Sequence, residues 1–247
     1  MPEKLSSWAL LASIVDRPGT ALANVAADPR WRWLLPAVLA SVALAVAAVL
    51  IAPLLTVQSQ QQAQELLASS LSQLSADQAA QVQARMAAVQ TPLFIGATTL
   101  GVGIIQLVLG WLIQATVLYF GALIAGADLE FTRVFATTPW LGLPYVLETI
   151  VQTAYVKFSN QLIVNQGLSY LVSSGKPLDD ARNLAYGALS QVTIFRLWHL
   201  LLVYVLLRGV ARLERGAAFW LTVLYAALFV AGHLLLTVVP GRLLGGV

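Results

Sequence analysis

Apolar residues gather along this chain into long blocks rather than alternating with polar ones. Residues 34–55 hold no charge, and neither does the longer run 86–127. The block 134–156 is interrupted only by Glu148, 188–207 by Arg196 and His199, and 217–239 by His233. Each block reaches the ~20 residues by which an α-helix crosses ~30 Å of hydrocarbon. A helix on the surface of a soluble domain would keep a polar face at the 3.6-residue period, and these blocks keep none. A soluble fold would have to bury five such helices on every side within a small domain. The pattern therefore predicts an all-α, polytopic membrane bundle of five transmembrane helices over residues 34–240. Its spans fall at about 34–55, 100–126, 134–156, 188–207 and 217–239. The run 86–127 leaves one alternative, a tight helical hairpin around Gly101 and Gly103. Pro139 and Pro144 remove two backbone donors from the third span and predict a kink or an irregular start there.

The polar stretches predict helices that stay outside the bilayer. In the N-terminal segment 1–33, Leu5, Trp8, Leu11 and Val15 recur at helical spacing. Arg17-Pro18-Gly19 breaks that run, and a second short helix carrying Leu22 and Val25 ends at Asp28-Pro29. With Trp8, Trp31 and Trp33, the segment suits the headgroup level or a cap over the bundle end. The insertion 56–91 is rich in Gln, Ala and Ser. It reads as two amphipathic helices with stripes Leu67, Leu71, Leu74 and Val82, Met86, Val89, joined at a capping box from Ser75 to Gln78. A low-complexity disordered loop is the competing reading. A second insertion, 157–187, turns at Ser173-Ser174-Gly175-Lys176-Pro177 and leads helically into the fourth span. Residues 241–247 form a C-terminal tail.

Composition sharpens this picture. Hydrophobic residues make up 59% of the chain and charged residues 10%, where soluble domains carry about 45–50% and 25%. Cysteine is absent, which excludes disulfides, thiolate metal sites and a cysteine nucleophile. The net charge of +3 suits loops that face anionic headgroups of membrane lipid, and no basic cluster is dense enough for a nucleic-acid partner. No cleavable leader pattern precedes the first span, which is expected to act as its own insertion signal. Eight of the fourteen Lys and Arg residues lie in the N-terminal segment and the connections at 126–133 and 208–216. Positive charge near span ends favours the cytoplasm, so the N-terminus is expected inside and the C-terminus outside.

Four ionisable residues interrupt the apolar spans, where a charge costs ~2.5–3.5 kcal/mol. With a third span entering at about Phe135, Glu148 lies ~20 Å in. A fourth span entering from the far face near Ser190 puts Arg196 about 9 Å deep, with His199 one turn deeper. His233, ~24 Å into the fifth span, falls in the same half. Glu148 shares a stripe with Pro144, Gln152 and Tyr155, and Arg196 shares one with Thr193 and His199; both stripes are expected to face inward. A Glu148–Arg196 ion pair would neutralise the cluster. It would either fix helix register and nothing more, or line a polar pathway beside a kinked helix. Catalytic templates fail. There is no His-Glu-x-x-His, no Gly-x-Ser-x-Gly and no phosphate loop, and two histidines on separate helices make a poor zinc site. Neither an enzyme, a metal nor a cofactor is expected. Gly121 and Ala125 have the small-xxx-small spacing of packed membrane helices.

The layout also resembles a known family. Arg17-Pro18-Gly19-Thr20-Ala21-Leu22, then Asp28-Pro29-Arg30-Trp31 running into Leu34-Leu35-Pro36, is similar to prokaryotic members of the Yip-one (Ypt-interacting-protein) family. So is Gly126-Ala127-Asp128-Leu129-Glu130-Phe131-Thr132 followed by Pro139. The resemblance implies five spans, a cytoplasmic N-terminus and a non-catalytic adaptor. Eukaryotic relatives engage Rab-type GTPases through a long N-terminal region with an Asp-Leu-Tyr-Gly-Pro motif. This chain lacks that motif, so the contact does not carry over. Some prokaryotic members associate with ABC-type export systems, which implies a membrane-protein partner in a prokaryotic plasma membrane. The alternative function is a small transporter or channel using Glu148, Arg196, His199 and His233.

Overall fold

A computed structural model of the chain describes residues 5–70, 81 and 91–244. The described residues form ten α-helices: α1 (Ser7–Asp16), α2 (Pro18–Ala27), α3 (Leu34–Ser70), α4 (Pro92–Ile124), α5 (Phe131–Leu141), α6 (Leu143–Ser159), α7 (Pro177–Ala181), α8 (Leu184–Leu189), α9 (Ile194–Gly209) and α10 (Arg215–Leu244). Among the described residues four stretches are long and apolar enough to cross a membrane: Leu34–Gln61, Pro92–Ile124, Phe131–Ser159 and Arg215–Val239. The third runs through α5 and α6 and is interrupted at Gly142, between the two prolines that predict a kink. α4 is continuous through Gly101 and Gly103, so the hairpin alternative does not form.

The fifth expected span is divided. Residues 190–193 are not helical, and they separate α8 from the 16-residue α9, which at 1.5 Å per residue is ~24 Å long. The cause is local. The Thr193 hydroxyl accepts from Arg196 N and caps a new helix, so the apolar block starting at residue 188 is not one helix. The expected helical lead-in from residue 178 is broken as well, because the Asn183 side chain accepts from Ala185 N and Tyr186 N and starts α8 afresh. The two amphipathic helices expected in 56–91 lie mostly outside the described residues; the described part continues α3 unbroken to Ser70.

The chain divides into two compact units. One comprises Met1–Ala40, Leu109–Glu148 and Ile163–Val247, the other Ser41–Val108 and Thr149–Leu162. In the second unit α3 presents a buried stripe of Ala47, Ala48 and Ala52. A Cβ on Gly96 of α4 would touch Ala52 at 3.4 Å, and one on Gly103 would strike the Leu44 side chain. Small residues let these two backbones approach closely, which is how helices associate where lipid offers no hydrophobic drive.

The first unit has the larger core. Leu10 and Ile14 of α1 are buried, together with Leu22 and Val25 of α2, Trp140 and Leu141 of α5, and Leu202, Leu206 and Leu207 of α9. The packing face of α1 is therefore Leu10 and Ile14. Trp8 and Val15, from the stripe read in the sequence, point outward at 70% and 67% exposure. α2 packs against α1, α5 and α9, so this segment does cap the bundle. Pro18 sits at the first helical position of α2, where its missing N–H costs nothing. Beyond α2, Arg32 binds the Leu5 carbonyl at 2.9 Å and Asp28 at 3.8 Å. The Trp140 indole donates to the Arg32 carbonyl at 2.9 Å. The turn before the first span is thus tied to both α1 and α5. Gly121 of α4 admits Leu221 of α10, whose Cδ1 would lie 2.4 Å from an added Cβ, whereas Ala125 is exposed.

The segment between α6 and α9 is held by its own polar groups. Asp180, with its carboxylate accepting from Ser173 Oγ and Ser174 N at 2.6 Å each, is held below the ordinary carboxylate value by those bonds. Tyr186 OH donates to the Val164 carbonyl at 2.8 Å. Gly167 (φ 54°) lies under the α8–α9 break, where an added Cβ would come within 2.6–2.9 Å of the Val192, Leu189 and Ser190 carbonyls. Gly175 (φ 75°) has open space around it. Gly175→Ala is therefore expected to cost about 1–2 kcal/mol from its left-handed backbone alone. Gly167→Ala adds about 1–3 kcal/mol of overpacking. Unfolding of the two purified variants in detergent checks the order, and equal losses would contradict the close approach.

Candidate functional site

The polar centre of the first unit begins with a broken helix. Pro139 offers no N–H to the Phe135 carbonyl, and the Thr138 hydroxyl donates there instead at 2.8 Å. Past Gly142, Tyr145 N turns to the Gly142 carbonyl at 3.0 Å. That leaves the Leu141 carbonyl without its usual acceptance from four residues on. In apolar surroundings such a group requires a partner. His199 supplies it, with Nδ1 2.7 Å from Leu141 O.

This contact determines the chemistry of the ring. A carbonyl only accepts, so Nδ1 carries the proton, and Nε2 is left as acceptor. Two donors meet it, Tyr225 OH at 3.0 Å and the Gln114 side-chain amide at 3.4 Å. In this arrangement the imidazole is neutral. It is also 1% exposed and lies against Tyr145 and Tyr225, at centroid distances of 4.7 and 5.7 Å. Gln114, His199 and Tyr225 each sit ten residues from the helix ends at Ile124, Gly209 and Arg215. That is ~15 Å along each helix, and the equal offsets agree with their contact.

One turn from His199 toward the start of α9 is Arg196. Its guanidinium donates to the Gln191 side chain and lies 4.6 Å from the Phe229 ring centroid and 5.6 Å from that of Tyr145. Among the described residues its buried Nε has no hydrogen-bond partner. Cation–ring attraction is worth ~2 kcal/mol or more in such a desolvated place. Half-buried Glu148 hydrogen-bonds the Thr193 side chain and lies within range of the Arg196 charge. Thr193 therefore both caps α9 and holds the carboxyl group of α6.

Three of the four residues singled out in the sequence thus share one region: Glu148, Arg196 and His199. His233, one turn beyond Phe229 on α10, also lies within range of the Arg196 charge. Among the described residues its ring has no hydrogen-bond or stacking partner. The inward stripe of Glu148 extends to buried Pro144 and half-buried Gln152, but Tyr155 is 52% exposed.

The Yip1 domain matches residues 12–236, most of the chain and all of this cluster. The chain belongs to the Yip1 domain family. No curated protein and no solved structure gives a significant match. With its four long apolar helices, this Yip1 domain is an integral membrane protein.

The positions that carried the family resemblance serve the scaffold of the Yip1 domain. Arg17 and Pro18 begin α2, and Gly19 faces Val205. Asp28 ends α2 and pairs with Arg32. Pro139 contributes to the irregularity that frees a carbonyl for His199. Pro29 and Phe131 line a groove discussed below, and Trp31 is exposed.

Several members of the cluster escaped the sequence reading: Gln114, Tyr145, Gln191, Tyr225, Phe229 and the Leu141 carbonyl. Gln114 had a signal, as an amide inside a charge-free span. The tyrosines had none, since aromatic residues are common in apolar helices, and a carbonyl has no letter of its own. His199→Leu strands the Leu141 carbonyl and two side-chain partners, and should cost about 2–3 kcal/mol. Tyr225→Phe should cost about 1 kcal/mol, and His233→Leu less than about 0.5 kcal/mol. Unfolding in detergent measures the series; a His199→Leu loss no larger than that of His233→Leu would refute the network.

Proposed function

We propose that this Yip1 domain is a non-catalytic adaptor that works by associating with another membrane complex. The observation behind this reading is that the polar centre is satisfied largely from within, Arg196 Nε excepted. Both His199 nitrogens are engaged, Arg196 is spent on Gln191 and two rings, and Glu148 is held through Thr193. Such a cluster sets helix register. In this reading α9 is the fifth span, short but shielded by its neighbours, since its buried face carries Leu202, Val203, Leu206 and Leu207. The N-terminus is then cytoplasmic and the C-terminus outside, in a prokaryotic plasma membrane. An ABC-type export system is the partner of choice, from the family resemblance.

A second reading is favoured by one observation, a half-buried carboxyl group beside a guanidinium within a candidate span. It makes the protein a small transporter in which Glu148 and Arg196 meet the cargo.

One experiment tests the topology, and two more separate these readings. The cysteine-free chain accepts single cysteines directly. Lys176→Cys should react with an impermeant thiol reagent from outside, whereas Ser6→Cys and Glu214→Cys should react only after the membrane is opened. Outside labelling at Glu214 overturns the five-span topology. Protein reconstituted alone into liposomes should pass no ion or solute, and an ABC-type component should copurify from mild detergent in stoichiometric amount. Flux that Glu148→Gln abolishes would transfer the case to the transporter reading.

A further inference from the structure

The turn that leads into the first span walls an open groove of about 430 Å³ together with the start of α5. It is lined by Pro29, Arg30, Trp33, Phe131, Phe135 and Ala136, and by exposed Thr132. The walls are fixed by three further contacts. The Trp33 indole donates to the Arg30 carbonyl at 3.0 Å, and Phe131 stacks on Phe135 at 6.1 Å while meeting Tyr119 edge-on at 5.5 Å. A rigid, mostly apolar hollow of this size falls in the ~300–1,000 Å³ range of ligand sites.

Its position and charge point to an occupant. Candidate spans begin at Leu34 and Phe131, directly beside the groove, so it opens where hydrocarbon gives way to headgroups. Trp31, exposed at 74%, suits that level. Of the nearby cations, Arg32 pairs with Asp28 and Arg133 with Glu130. Arg30 lines the groove, is exposed, and among the described residues its guanidinium makes no ion pair or hydrogen bond. The groove thus offers one uncompensated positive charge above an aromatic and aliphatic wall. We propose that it binds a single anionic phospholipid from the adjoining leaflet, with the phosphate on Arg30 and the upper acyl chain along Trp33, Phe131 and Phe135. A guanidinium fork matches phosphate oxygens, and the apolar wall matches the chain. This proposal is independent of the adaptor reading, because it needs no protein partner and no contribution from the His199 network.

The test is native mass spectrometry of the full chain released from micelles supplied with phosphatidylglycerol or with phosphatidylcholine of the same acyl chains. One phosphatidylglycerol should stay bound per chain, and phosphatidylcholine should be lost. Arg30→Gln should lower that occupancy about fivefold, the equivalent of one basic contact to an anionic headgroup. Thr132→Trp, which fills the groove from an exposed position without touching Arg30, should lower it as well. Arg17→Gln, which removes a cation outside the groove, should leave it unchanged. Unfolding in detergent confirms that each variant is folded before its lipid is counted. Equal retention of the two lipids by the unaltered chain would overturn the proposal. So would full phosphatidylglycerol occupancy in both Arg30→Gln and Thr132→Trp.

Discussion

A backbone carbonyl that loses its helical partner inside hydrocarbon has no water to turn to, and the polar centre of this Yip1 domain follows from that constraint. Two prolines five residues apart remove donors from the stretch between Phe131 and Ser159, and the chain responds with an interruption at Gly142. The interruption exposes the Leu141 carbonyl, the carbonyl claims Nδ1 of His199, and that claim makes Nε2 an acceptor. Tyr225 and Gln114 then have a reason to stand at the same depth on α10 and α4. One break in one helix therefore sets the rotation of three others.

The same logic explains which parts of the fold were legible in the sequence. Long apolar blocks read directly as helices because membrane thickness fixes their length, and four of the five expected spans appear close to where the blocks lie. The kink at Pro139 and Pro144 was legible because proline acts on its own helix. The division of the fourth block was not. Thr193 and Asn183 look unremarkable as letters and act only as helix caps once the chain has turned. The outer face of α1 shows the same limit from another side. Leu5, Trp8, Leu11 and Val15 make a helical stripe, but Leu10 and Ile14 make another, and only the surface offered by α2 decides which of them packs.

The candidate site was legible in part for a related reason. A charge in an apolar run is conspicuous, so Glu148, Arg196 and His199 stood out. Their partners did not, because an arginine in a low-dielectric place is satisfied as well by π-faces as by a carboxylate. Phe229 and Tyr145 take up the flat faces of the Arg196 guanidinium, while the Gln191 amide takes one edge. Rings bring no charge of their own into the bilayer, and here they act beside the Glu148 carboxyl group rather than in place of it. An expectation framed only in terms of ion pairs overlooks this solution.

What the network consumes also bears on where interactions with other molecules are to be sought. A cargo site needs donors or acceptors left over, and His199 has none: its two nitrogens meet three partners. Glu148 answers to a different helix, because its carboxyl group hydrogen-bonds the Thr193 side chain. Thr193 in turn holds the first turn of α9 through Arg196 N. Any ligand or proton taken up by Glu148 therefore acts on the cap of the helix that carries His199. If the membrane interior responds to anything, the response enters through the Thr193 hydroxyl, which makes the Glu148–Thr193 contact the point where a packed scaffold and a working site are told apart.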